Sequence, residues 1–258
     1  MKVTVIQMDV ALGNPEINRK RVSELIGSAV SGRGQVVVLP EMWNTGYALD
    51  KLDVIADRSG EPSTGLLQSL AREHKVDIIG GSVSSNENSK FFNRALVVNS
   101  QGELVHTYNK IHLFRLMKEE QYLHPGNRNK PFDLAGVKWG LIICYDLRFP
   151  ELTRKLAVDG AEILAVPAEW PKVRLHHWRS LLIARAIENQ QYVVAVNRVG
   201  SDGKNVFGGH SMVVDPLGEV LYEAGEQEEV FTVDIDIGKV AEVRQAIPVF
   251  SDRCPDCY

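Results

Sequence analysis

Three cysteines in 258 residues are too few for a disulfide framework. That scarcity points to a reducing compartment, and the cytoplasm is the expected location. No apolar run approaches the roughly 18 residues of a membrane span. The start, Met1-Lys2-Val3-Thr4, turns polar too soon for a signal peptide. Positive charge is not in excess: 29 Lys and Arg face 33 Asp and Glu, a formal net charge of −4. Such a chain has no basic field for nucleic acid or an anionic membrane, and neither is an expected partner. Walker A and G-x-G-x-x-G loops are missing, which leaves nucleotide binding without support. No H-E-x-x-H or Cys/His cluster is present, so neither a metal nor an organic cofactor is expected. The adjacent His176 and His177 point apart on most backbones. Cys254-Pro255-Asp256-Cys257 has C-x-x-C spacing but no partner pair, and reads as a tail without a role.

What is there is ordinary globular material, 44 % hydrophobic and 24 % charged. Strand-like and helix-like stretches alternate. Strands are expected at 3–8, 36–39, 76–81, 139–144, 163–166, 192–197 and 230–235. Helices are expected at 17–30, 66–74, 150–159 and 176–190, with a short one from Lys239. Gly32 and Gly34 should end the first helix. Two hairpins, 93–99 with 103–108 and 207–215 with 219–223, make the sheet arrangement mixed. With no linker or low-complexity stretch, the pattern predicts one α/β domain over residues 1–258, strands central and helices outside.

Polar residues at strand ends are where α/β proteins build sites. Glu41 follows Val36-Val37-Val38-Leu39-Pro40. Cys144 ends Trp139-Gly140-Leu141-Ile142-Ile143 and leads into Tyr145, Asp146 and Arg148. That polar turn before a helix predicts an elbow with an exposed sulfur and a lowered thiol pKa. Lys110 sits in Lys110-Ile111-His112-Leu113-Phe114, an apolar setting where an ammonium needs a partner or a task. The combination makes chemical sense. A carboxylate can take the thiol proton and return it to a leaving amine, and a lysine can hold the oxyanion. A Cys-His protease would need a local signature that Cys144 lacks, and His112 reads as a structural hydrogen-bonder.

The segments Leu39-Pro40-Glu41-Met42, Tyr108-Asn109-Lys110-Ile111-His112-Leu113 and Gly140-Leu141-Ile142-Ile143-Cys144-Tyr145-Asp146-Leu147-Arg148-Phe149-Pro150-Glu151 together resemble the carbon–nitrogen hydrolase (nitrilase) superfamily, in order and over essentially the whole chain. The resemblance implies a four-layer αββα sandwich, homodimers packed through helix faces, and a catalytic triad of Glu41, Lys110 and Cys144. It also implies a second glutamate shortly before a Pro-Gly. Counting back from Pro125 favours Glu119, which would position the lysine and the substrate amide, and leaves Glu120 as a solvated charge.

Pro167-Ala168-Glu169-Trp170-Pro171, His177-Trp178, Ala184-Arg185-Ala186-Ile187-Glu188-Asn189-Gln190 and Asn197-Arg198-Val199-Gly200 look most like the omega-amidase branch. That branch hydrolyses the terminal amide of a short 2-oxo acid, such as 2-oxoglutaramate, through a cysteine thioester. The implied partner is therefore a small-molecule amide. In this scheme the Tyr145 N–H joins Lys110 at the oxyanion. Arg148 is the expected cation for the substrate carboxylate, with an ion pair to Glu151 as the alternative. Trp170 and Tyr47 are further lining candidates. The same triad would serve an N-carbamoyl amino-acid amidohydrolase or a nitrile hydrolase, and an inactive binding protein on this scaffold is the reading from another class.

Overall fold

The computed structural model describes residues 1–29 and 35–257. Two sheets stack face to face. The first contains β1 (Lys2–Gln7), β2 (Gln35–Val38), β3 (Asp57–Arg58), β4 (Asp77–Glu87), β5 (Lys90–Val98) and β6 (Leu104–Asn109). The second contains β7 (Phe132–Leu134), β8 (Val137–Leu141), β9 (Ile163–Ala168) and β10 (Tyr192–Asn197). A separate ribbon pairs β11 (Val199–Ser201) with β12 (Val206–Gly208). The chain then adds β13 (Met212–Val214) and β14 (Val220–Glu223) to the second sheet, and returns to the first with β15 (Glu229–Asp234). Strand orders are β15-β1-β2-β4-β5-β6, with β3 beside β4, and β14-β13-β10-β9-β8-β7. The central pairs β1–β2, β2–β4, β8–β9 and β9–β10 are parallel, and the hairpins are antiparallel.

Side-chain alternation explains the layers. Val36 and Val38 face the second sheet, whereas Val37 and Leu39 face the outer helices. Those helices are α1 (Pro15–Ala29) and, after the short α2 (Leu52–Ile55), α3 (Ser63–His74). Asn14 caps α1 by accepting the Ile17 N–H, and Pro15 takes the first turn. Val22, Ile26, Leu67 and Ala71 then close over Ile6, Val37 and Ile78. After the single turn α4 (Glu119–Tyr122), the opposite face is covered by α5 (Pro150–Val158) and α6 (Leu175–Asn189), through Leu156, Trp178, Leu182 and Ala186. A last helix, α7 (Gly238–Ala246), follows β15. The result is the four-layer αββα sandwich. No helix among the described residues is long and apolar enough to cross a membrane.

Several boundaries differ from the sequence pattern. β4 continues to Glu87 because Ser82, Ser84 and Ser85 are buried too, which a hydrophobic count misses. The strand expected over 207–215 is broken in two where Gly209 and His210 take positive φ values of 63° and 54°. The hairpin of β7 and β8 went unread. Val30, Gly32 and Gly34 lie outside the described residues.

Candidate active site

The carboxyl ends of the parallel strands of both sheets meet at one place. Glu41 follows β2, Cys144 follows β8, and Glu169 and Arg198 follow β9 and β10. Lys110 comes in directly after β6. Two glycines make the approach possible. Gly81 has φ 56°, and a Cβ there would collide with the Pro40 carbonyl beside Glu41. A Cβ on Gly126 would strike the Asn109 carbonyl beside Lys110.

Cys144 sits at an elbow with φ 45°, a left-handed conformation that a non-glycine residue holds only under tertiary constraint. It opens a 3-10 turn, Cys144–Arg148, so the adjacent Tyr145 N–H is in a first turn with no intrahelical acceptor. The expectation of an exposed, acidified thiol is corrected. Cys144 is only 5 % exposed. Burial, reinforced by the Glu41 carboxylate, pushes its pKa well up, and Lys110 opposes this only in part. The resting group is a thiol that needs a base.

The base candidate lies beside it. Glu41 is fully buried, and its Oε1 accepts from Lys110 Nζ at 2.9 Å, Asn93 Nδ2 at 2.7 Å and the Tyr47 hydroxyl at 2.9 Å. Its Oε2 accepts the Glu169 N–H at 2.7 Å. Glu119, also buried, accepts from Lys110 at 2.7 Å and from the Phe114 N–H at 3.0 Å. Its Oε1 lies 2.5 Å from the Tyr47 hydroxyl. Burial alone would discharge Lys110, but Glu119 and Glu41 outweigh it and hold the ammonium charged. Burial, with Glu41 nearby, raises Glu119 despite Lys110. Glu120 is exposed. Tyr47, expected to line the pocket, has its hydroxyl engaged with both carboxylates.

Asp146 joins the loops that carry Lys110 and Cys144. Its Oδ2 accepts from the Tyr108 hydroxyl (2.7 Å) and the Ile143 N–H (3.0 Å). Its Oδ1 accepts from the His112 N–H (3.0 Å) and meets His112 Nδ1 (2.7 Å). His112 therefore is a structural hydrogen-bonder, with its ring stacked on Phe149.

Over Cys144 lies a tight recess of about 10 Å³, walled by Phe114, Tyr145, Arg148, Glu169, Trp170 and Arg174. Arg148 does not pair with Glu151. Its guanidinium lies 4.7 Å from the Trp170 ring centroid and 3.2 Å from His177 Nδ1. Arg174 lies over Phe114 at 5.5 Å. Among the described residues neither arginine has a carboxylate partner. Burial lowers the Arg148 pKa, and the like charge of Arg174 adds to this.

Sequence reasoning gave no role to Asn93, Arg174, Asp146 or Glu169. The strand-end rule that found Glu41 also applies to Glu169, at the end of Ile163–Ala168. Nothing local marks Asn93 or Arg174.

A carbon-nitrogen hydrolase family model matches residues 2–245. The 2-oxoglutaramate amidase of Bacillus subtilis (strain 168) is 44 % identical over 256 residues, covering 99 % of this chain and 98 % of that protein. The omega-amidase NIT2 of Homo sapiens is 34 % identical over 266 residues, covering 100 % and 96 %. Among solved structures, XC1258 of Xanthomonas campestris, a CN-hydrolase superfamily protein with an arsenic adduct in its active site, matches with a TM-score of 0.91 and 31 % identity. That match covers 98 % of this chain and 97 % of that one. With this ancestry and this fold, the chain belongs to the carbon-nitrogen hydrolase family.

Proposed function

We propose that the protein hydrolyses the terminal amide of a short 2-oxo dicarboxylic acid monoamide, with 2-oxoglutaramate as the model substrate, to the dicarboxylate and ammonia. One observation carries the reading. A buried Cys144 beside Glu41 and Lys110 opens onto a recess with two arginines that have no acidic partner among the described residues. The names of the two amidase relatives agree with it.

Cys144 Sγ attacks the amide carbon as Glu41 takes the thiol proton. The oxyanion forms against Lys110 Nζ and the Tyr145 N–H, donors of a kind worth about 10²–10³ each in rate. Glu41 returns the proton to the nitrogen and ammonia leaves. The acyl group stays on Cys144 as a thioester. Water deprotonated by Glu41 attacks the thioester carbon and the acid departs. Glu119 and Tyr47 fix Lys110 throughout. The substrate carboxylate lies between Arg148 and Arg174, whose guanidinium forks match its geometry. The chemistry runs on side chains and water alone, in a cytoplasmic homodimer. Exposed Val158, Ile187 and Leu217 on the α5–α6 side would form the pairing face.

Ammonia release from 2-oxoglutaramate tests this, with Cys144→Ala and an N-carbamoyl amino acid run in parallel. Release should vanish in a folded Cys144→Ala protein. Turnover of the carbamoyl compound alone would transfer the triad to that other substrate class, and undiminished turnover in Cys144→Ala would end the scheme.

A further inference from the structure

Glu169 is a buried acid at the site that the mechanism above does not use. Its side chain is fully buried, and the residue lines the recess with Cys144 and Trp170. Its Oε2 accepts from Arg198 Nη1 at 3.2 Å. Its Oε1 is buried and has no hydrogen-bond partner among the described residues. We propose that Glu169 is a specificity-determining residue whose Oε1 donates a hydrogen bond to the 2-oxo oxygen of the substrate. This rests on the amidase reading and adds to it a basis for choosing 2-oxo amides.

The position of the acid proton follows from the contacts. Oε2 is turned to a guanidinium, so a proton on the carboxyl resides on Oε1. The Arg198 charge does not require an ionised Glu169, because its Nη2 donates to Asp9 Oδ1 at 2.7 Å and to the Val10 carbonyl at 2.8 Å. The groups facing Glu169 come from several strands. They are Arg198 after β10, Glu41 after β2, Cys144 after β8 and Asp202 in the β11–β12 ribbon. Burial raises the Glu169 pKa to about 8, Arg198 opposes, and Glu41 and Asp202 add to the rise. The carboxyl is therefore mainly neutral at pH 7 and can donate.

The substrate's own inventory leaves one acceptor for that donor. The amide oxygen goes to Lys110 and Tyr145. The amide nitrogen goes to Glu41, and the carboxylate goes to Arg148 and Arg174. The 2-oxo oxygen is what remains. A methylene at that carbon would leave the Glu169 O–H unpaired, and an ammonium would set donor against donor.

The experiment compares kcat/KM for 2-oxoglutaramate with that for glutaramate, the same chain with a methylene at carbon 2. Wild type and Glu169→Gln are run from pH 6.5 to 9.5. Taking the ratio cancels every ionisation that acts equally on both substrates. Wild type should prefer the oxo compound by about tenfold or more, the scale of one buried hydrogen bond. That preference should fall as pH rises through about 8. Glu169→Gln, whose amide N–H donates at every pH, should keep a preference that does not change with pH. A wild-type preference constant over this range, an equal decline in Glu169→Gln, or a Gln variant without preference would overturn the proposal. The wild-type profile decides alone if the variant fails to fold. Equal turnover of both amides that depends on Cys144 sinks the Glu169 role and keeps the amidase, whereas no turnover of either sinks the amidase reading.

Discussion

Asp146→Asn isolates the junction between the loops that carry Lys110 and Cys144. The aspartate is fully buried and its two oxygens meet four donor groups. Asparagine turns one oxygen into an NH₂. Placed at the Oδ2 position, the NH₂ faces the Ile143 N–H, while the Tyr108 hydroxyl can rotate to accept. Placed at Oδ1, it faces the His112 N–H, while His112 Nδ1 can change tautomer and accept. In either orientation one fixed backbone N–H meets another donor. A buried unsatisfied donor costs about 1–3 kcal/mol. The remaining bonds also lose charge assistance, which roughly doubles such bonds. The expected loss is about 2–5 kcal/mol, a large part of the 5–15 kcal/mol typical of a domain. Ile143 precedes Cys144, and Tyr108 and His112 flank Lys110. Their relative placement should therefore shift, and kcat/KM should drop by about 10². Urea unfolding followed by tryptophan fluorescence measures the first, and ammonia release measures the second. A variant within about 0.5 kcal/mol of wild type with unchanged kcat/KM would refute the idea of a shared anchor.

Other substitutions probe the remaining groups. Tyr47→Phe removes the hydroxyl between Glu41 and Glu119 and should lower stability by about 1–3 kcal/mol in denaturant titration. Because that hydroxyl helps hold the Glu119 pKa down against burial, the acid limb of kcat/KM should move to higher pH, and an unmoved limb would count against the linkage. Arg174→Gln should raise KM for 2-oxoglutaramate about tenfold and leave a neutral amide such as butyramide nearly unchanged. Equal effects on both substrates would remove Arg174 from the pocket. Glu169→Gln should be more stable than wild type near neutral pH. The folded pKa of about 8 lies above the unfolded value, so between the two the native state keeps a proton that the unfolded state has released. Wild-type stability therefore falls as pH rises through that window, and the variant has no such proton. The difference should grow with pH from about 4.3 to at most about 4 kcal/mol at pH 7, as thermal melts would show. A difference that does not change between pH 5 and 8 would contradict it.

Much of the scaffold is legible in the chain because its strands are buried on both faces and read as β-branched runs. Val36-Val37-Val38-Leu39 is an instance, and it also locates Glu41. β4 is less legible. Its second half is stabilised by serines that bond to buried partners such as Asn44 and Met42, and a polar buried strand leaves no hydrophobic signature. Cys144 shows a different limit. The elbow could be read from the polar turn after an apolar strand. The direction of the thiol pKa could not, because it depends on Glu41 and on the depth of burial, both set by long-range packing. Asn93 lies 52 residues from Glu41, and only the pairing of strands brings its amide there, whereas Tyr47 is six residues on and reaches Glu41 through the turn after β2. Arg174 is visible in sequence as one more basic residue. What distinguishes it is that no carboxylate among the described residues pairs with it, a property of three-dimensional surroundings.

The return of β15 to the edge of β1 has a bearing on biosynthesis. β1 pairs with β2 from the opposite side, but its other edge stays open until Glu229–Asp234 has been made. Glu41, Lys110 and Cys144 all leave the ribosome well before that. The sheet that carries Glu41 and Lys110 is thus finished by the last strand among the described residues, while the sheet bearing Cys144 can assemble from contiguous chain. A nascent polypeptide stalled before Glu229 would expose one unpaired strand edge next to reactive groups, a geometry that invites pairing with other chains.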